Sequence, residues 1–255
     1  MDIVGSYSSS STGAFAGIFN GNGHKITNLW INRTSANYAI GFFGNAEYAQ
    51  IKNLGVEMAD GKSISGYSYV GGIVGNAYMT NITNVYSTGN ISGYYKVGGI
   101  VGDSYIINIT NSYSTGSITG NMTNARGLGG IAGWISDYSN VLNNVAINGL
   151  IKRYYEVNRV IGVNNDYTGQ TFISNNFALN SMTGEVSIQD YLTKNGFSNG
   201  GNVIYHGIDK TIGELKTRST YETGLGWQFG DNDTAPWKID SDKNNGYPYF
   251  YWQEL

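Results

Sequence analysis

Residues 70–93 read Val70-Gly71-Gly72-Ile73-Val74-Gly75 and, after six residues, Ile82-Thr83-Asn84-Val85-Tyr86-Ser87-Thr88-Gly89-Asn90-Ile91-Ser92-Gly93. The next stretch repeats both halves as Gly98-Gly99-Ile100-Val101-Gly102 and Ile109-Thr110-Asn111-Ser112-Tyr113-Ser114-Thr115-Gly116-Ser117-Ile118-Thr119-Gly120. Looser copies lie outward on both sides. Ile40-Gly41-Phe42-Phe43-Gly44 precedes; Gly129-Gly130-Ile131-Ala132-Gly133 and the decayed Ile161-Gly162-Val163-Asn164 follow. Read by Gly41, Gly72, Gly99, Gly130 and Gly162, the copies are 31, 27, 31 and 32 residues apart. The trailing motif keeps time independently: Asn53, Asn84, Asn111, Asn144 and Asn176 step by 31, 27, 33 and 32. An earlier relative is Ile26-Thr27-Asn28-Leu29. Two motifs in step at roughly 30 residues describe a solenoid.

Glycine interrupts each repeat every few residues, and the pieces between are rich in Ile, Val, Tyr, Thr and Phe. That is strand chemistry between turns, not the long i, i+3, i+4 faces of a helical repeat. The expected fold is all-β: a right-handed single-stranded parallel β-helix over 1–185, with a small aromatic-rich C-terminal cap over 186–255. A propeller is the second choice, although its repeats are longer. Stacked coils place equivalent residues about 4.8 Å apart. The Asn column then reads as coil-to-coil amide hydrogen bonding at turns, and the Gly columns as turns or close backbone approaches.

The composition agrees. Of 255 residues, 37 are Gly, 21 are Tyr and only 2 are Pro, and charged residues make up 13%. The net charge of -3 comes without any Lys/Arg cluster, so the sequence gives no reason to expect nucleic acid as a partner. Its apolar runs are too short for membrane insertion by this chain. It has no cysteine, which fits any redox compartment. Met1–Ser11 lacks the basic and apolar regions of a signal peptide, so a signal for export is expected outside this chain.

The copies at 70–75 and 82–93 resemble the GLUG repeat of bacterial surface proteins, which include large adhesins and some IgA-cleaving metallopeptidases. Phe15-Ala16-Gly17-Ile18-Phe19-Asn20-Gly21-Asn22-Gly23-His24-Lys25-Ile26-Thr27-Asn28-Leu29 resembles the first coil ahead of such repeats. The likeness covers roughly 14–180. It implies a β-helix that is secreted or displayed at the cell surface, as a monomeric segment of a larger protein. It implies no single activity.

Catalytic signatures are sparse. The two histidines, His24 and His206, are far apart, and no His-Glu-x-x-His is present. No Gly-x-Ser-x-Gly elbow occurs. Gly21-Asn22-Gly23 reads as a turn. Asp103, Asp137 and Asp166 follow the Gly motif in three successive repeats, with Glu47 in an earlier one; stacked, they are the acids a carbohydrate-cleaving β-helix would use. Their offsets differ, so solvated turn acids are the preferred reading. Asp240-Ser241-Asp242-Lys243-Asn244-Asn245-Gly246 departs from a calcium loop: its Gly comes one place late and Tyr251 stands where the bidentate Glu belongs. The sequence is therefore read as a non-enzyme with no cofactor and no metal. Thr211-Ile212-Gly213-Glu214 has the form of a capping box and predicts a short helix.

Tyrosines occupy two places around the Gly motif. Tyr48, Tyr78, Tyr105, Tyr138 and Tyr167 follow it. Tyr67, Tyr69, Tyr94, Tyr95, Tyr154 and Tyr155 precede it, where repeat lengths vary. Variable segments are loops, and loop tyrosines suit binding. This second set is the candidate ligand site, and a host surface protein or a glycan is the expected partner. An adhesin-type binding or display module is the expected function, ahead of a carbohydrate-active enzyme or a passive stalk.

Overall fold

The structure, a computed structural model, describes residues 13–121, 125–152, 156–183 and 203–254. It is a parallel β-solenoid of about five turns. Each turn contributes to two sheets. The central coil runs from Ser63–Gly71 in one sheet through the Gly-Gly-Ile corner to Val74–Thr88 in the other. Every strand pairing between coils is parallel, and the register is continuous from coil to coil.

The register turns the repeat into ladders of like side chains. One inward column is Ile31, Ile64, Ile91, Ile118 and Ile151. A second is Ile40, Val70, Val97, Leu128 and Val157. A third is Ile51, Ile82, Ile109, Val141 and Ile173. All are buried. Burying a side chain of this size contributes roughly 1.5–3 kcal/mol, so each added coil stabilises its neighbours as much as itself.

The chain turns its corners through left-handed residues. One set comprises Asn53, Asn84, Asn111, Asn143 and Asn175, with φ between 51° and 60°. Asn tolerates this region better than most side chains. Its amides also link the coils: Asn53 Nδ2 donates to Asn20 Oδ1 at 3.0 Å, Asn84 Nδ2 to Asn53 Oδ1 at 3.2 Å, and Asn175 Nδ2 to Asn143 Oδ1 at 2.7 Å. The coil-to-coil role expected of the asparagines is found, with one correction. Asn144 and Asn176 are not in this column. They stand one place further on and are buried, in the column of Ser112.

A second correction concerns glycine. Ala132 pairs with Ile161, so Gly162 belongs with the trailing Gly44, Gly75, Gly102 and Gly133, not with the leading ones. Asn158 and Arg159 take the places of Gly129 and Gly130 in that coil. The trailing glycines are required by close approach. A Cβ on Gly102 would overlap the backbone at Tyr69 and Val70 of the preceding coil.

One further parallel strand, Ile208–Lys210, pairs with Phe177–Leu179 beyond the expected boundary at 185. Thr211 and Glu214 then form the predicted capping box at the start of the helix Ile212–Leu215. Rather than simply covering the end of the stack, the tail runs back along its flank. Gly224 faces the Phe177 ring, and Trp227 Nε1 donates to the Asn143 carbonyl at 2.9 Å. Trp237 lies 6.0 Å from Tyr113, and Phe250 lies 5.6 Å from Tyr86. Trp252 covers Gly23, where a Cβ would strike its indole. The tail is thus a strap tying the last coil to the first, and the antiparallel sheet Phe229–Asn232, Ala235–Lys238 and Tyr249–Phe250 stiffens it.

At the strap's root His206 is 4% exposed. Burial, aided by the Arg159 guanidinium, holds its imidazole down to about 4. Unfolded, it titrates near 6.5. Between those values the unfolded chain binds a proton that the folded chain refuses, so stability is full above about pH 6.5 and falls as pH drops toward 4. Urea midpoints measured across this window should decline, and His206→Gln should flatten the decline. An unchanged slope in the variant would remove His206 from the account.

Candidate functional site

The corner before the Gly-Gly motif is a second column of left-handed residues: Ala39, Tyr69, Lys96, Gly127 and Glu156. Reversing the pleat there turns side chains outward at one edge of the stack. Ser68, Tyr95 and Arg126 stand in register beside it. Asp103 and Trp134 are paired on the neighbouring strand. Together Tyr67, Ser68, Tyr69, Tyr95, Lys96, Arg126 and Trp134 line an open groove of about 380 Å³.

Inside the groove the rings support one another. Tyr67 meets Tyr94 edge-on at 4.9 Å and Tyr95 at 6.2 Å. Lys96 Nζ lies 4.9 Å from the centre of the Tyr69 ring and 4.6 Å from that of Trp134. It also pairs with Asp103 Oδ2 at 2.8 Å. Burial pushes the Asp103 carboxyl up from its usual range, against the pull of Lys96. Lys96 therefore works as a rivet, holding two aromatic faces in place. Of the six candidate tyrosines, Tyr67, Tyr69 and Tyr95 line the groove and Tyr94 buttresses it. Tyr154 and Tyr155 lie outside the described residues.

Sequence reasoning missed Lys96, Arg126 and Trp134 as site residues. The signal was present in the spacing. Stepping 31 residues from Tyr95, the interval between Gly99 and Gly130, lands on Arg126, and the same step from Asp103 lands on Trp134.

The other tyrosine set forms an exposed ladder. Tyr78 stacks on Tyr105 at 5.7 Å, and Tyr48 meets Tyr78 edge-on at 5.6 Å. Tyr138 and Tyr167 are exposed but join no ring pair among the described residues.

The acids separate. Asp103 aligns with Trp134, not with Asp137, and is committed to Lys96. Glu47 aligns with Tyr78. Asp137 and Asp166 adjoin on an exposed loop, where Asp137 Oδ1 accepts the Tyr167 N–H at 2.6 Å. The Thr168 hydroxyl, with the backbone N–H groups of Thr168 and Thr171, holds Asp166 well below the usual carboxylate range. A carboxyl so firmly ionised is a poor proton donor. Asp103 does not stack with the other two, because the differing offsets from the Gly motif place it in another column.

A larger cavity of about 570 Å³ lies between strap and flank, lined in part by Lys25, Glu57, Asn244 and Gln253. Several of its polar groups are already engaged. Glu57 accepts from Lys25 and from the Tyr86 hydroxyl. Gln253 Nε2 donates to the Tyr86 hydroxyl, and Asn244 Nδ2 to that of Tyr113. This seam holds the strap. Asp240 and Asp242, in the loop weighed for calcium, form a local turn in which Asp240 Oδ1 accepts the Asp242 N–H at 2.8 Å. Among the described residues no group of three or more His, Asp or Glu side chains is placed to hold a metal ion.

Fold and groove define the class: a parallel β-solenoid with an aromatic groove along one corner. Residues 66–92, which bring Tyr67, Ser68 and Tyr69 to the groove, match the family model of the GLUG motif. The chain is similar in fold to a crystal structure from Bacteroides ovatus named as that of a "putative immunoglobulin A1 protease". The two share 20% identity at a TM-score of 0.57, over 92% of this chain and 77% of the other. Comparison with curated proteins finds no matching relative.

Proposed function

We propose that this chain is a binding and display module, secreted or held at a bacterial surface, whose corner groove takes a glycan. The observation that supports the reading is the cluster of Tyr67, Tyr69, Tyr95 and Trp134 around one open groove. Aromatic faces with polar rims match the alternating apolar and hydroxyl faces of a sugar ring, and a groove pre-organised by packing lowers the ordering cost of binding. The solenoid supplies rigidity and distance from the surface. The GLUG motif is a scaffold and carries no catalytic group of its own. A protease reading taken from the Bacteroides ovatus neighbour has no His-Glu-x-x-His to rest on in this sequence.

The test is a glycan array probed with the intact chain, followed by titration of any captured glycan. Trp134→Ala and Tyr95→Ala should each weaken binding at least ~10-fold, equivalent to ~1.4 kcal/mol. Their circular dichroism spectra should match that of the parent. A blank array, or capture unaffected by both substitutions, would overturn the reading.

A further inference from the structure

We infer that the groove selects an acidic sugar and that Arg126 is the residue that reads the acid. The inference rests on the glycan reading above and adds the class of sugar.

The lining carries two cations, Lys96 and Arg126; Asp103 stands behind it as the partner of Lys96, and Glu156 follows Gly127 in the same corner column one coil on. Lys96 is spent, paired with Asp103 and held over Tyr69 and Trp134. Arg126 is exposed, and its guanidinium meets no carboxylate among the described residues. Arg159 and Arg218, by contrast, each pair with an acid at 2.5–2.6 Å. Arg126 is thus the one cation of the lining with no carboxylate at ion-pair distance among the described residues, on a chain whose net charge is -3.

Position turns that charge into specificity. Arg126 pairs in register with Tyr95, so its stem begins about 4.8 Å from that residue along the stack. Trp134 shares its coil with Arg126, so a sugar spanning the Tyr95 and Trp134 faces would reach the coil that carries the guanidinium. A planar fork of N–H donors matches a carboxylate in two parallel hydrogen bonds and a sulfate nearly as well, whereas neutral hydroxyls gain little from it. The left-handed corner contributes too. Arg126 opens the strand Arg126–Gly129, directly before Gly127 with its φ of 67°, and lines the groove from that end.

The experiment titrates the intact chain with three acidic oligosaccharides, sialylated, uronate-containing and sulfated, each beside its neutral counterpart. The neutral forms are desialylated, carboxyl-reduced and desulfated. At least one acidic member should bind 10-fold or more tightly than its counterpart. Arg126→Ala should abolish that preference, and Arg126→Lys should restore part of it. Which member wins separates carboxylate from sulfate. Equal affinity for acidic and neutral forms, or a preference that survives in Arg126→Ala, overturns the inference. If neutral and acidic forms bind alike and Trp134→Ala abolishes both, the glycan groove stands and only the acid specificity falls. If no saccharide binds, both fall together.

Discussion

Replacing Trp237 with Ala is expected to destabilise the protein by roughly 3–5 kcal/mol. The side chain is 1% exposed and is the middle ring of a stack, 4.6 Å from Trp227 and 4.3 Å from Phe250. Its third neighbour is Tyr113 on the solenoid flank. Truncation would open a cavity where the strap meets the coils and release the aromatic faces on both sides. Trp237→Phe should cost far less, because the ring stack survives and the indole N–H that is lost is buried without a partner. Trp30 supplies the control: it is 57% exposed, and Trp30→Ala should stay within ~0.5 kcal/mol. Guanidinium unfolding followed by tryptophan fluorescence and circular dichroism measures all three. Equal small losses at Trp237 and Trp30 would mean that the strap is not an integral part of the fold.

The strap explains two polar features of the flank. Tyr86 and Tyr113 point outward from the coils, which leaves Gly55 no room for a Cβ beneath the Tyr86 ring. They are nevertheless buried, because the strap covers them. Burial pushes both phenols well above the ordinary tyrosine value, so they remain hydrogen-bond donors throughout the physiological range. Tyr113 donates to the Pro248 carbonyl at 2.8 Å, and Tyr86 to Glu57 Oε1 at 2.9 Å. A solenoid flank with an outward Tyr ladder is otherwise an exposed apolar strip of the kind that invites association.

The repeat was legible because a parallel stack maps sequence period directly onto space. Gly71–Gly75 and Gly98–Gly102 are identical in pattern, and the ladders through Ile82 and Ile109 follow from them. Legibility ended where coil length changes. In the fourth and fifth coils an Asn-Asn pair offers two candidates for one column, and motif matching selects the wrong member. In the fifth coil Asn158 and Arg159 replace two glycines, which shifts the apparent frame. The groove was half legible for the same reason. Tyr67, Tyr69 and Tyr95 announce themselves by residue type, but Arg126 and Trp134 become neighbours only through register. The strap was not legible as a strap, because lateral packing of Trp227, Trp237 and Phe250 leaves no periodic trace in the sequence.

The two columns make opposite demands on adjacent residues, which yields the sharpest test of the register. Asn144 is fully buried. Its Oδ1 accepts the Ser112 N–H at 3.0 Å, and its Nδ2 donates to the Ile109 carbonyl at 2.9 Å and to Asn176 Oδ1 at 3.1 Å. Asn144→Ala strands a buried backbone donor and weakens a carbonyl's bonding, at roughly 1–3 kcal/mol for each unsatisfied group, so a total near ~2–4 kcal/mol is expected. Asn143 is the corner residue, with φ of 60°. Its side chain meets only Asn175 at an exposed edge, and its carbonyl still accepts the Trp227 indole when the side chain is gone. Asn143→Gly keeps the left-handed turn and should change stability by less than ~1 kcal/mol. Urea denaturation of the two variants decides the matter. If Asn143→Gly is the more damaging of the pair, the amide ladder at the corner carries the coil, and the buried column through Ser112, Asn144 and Asn176 is misassigned.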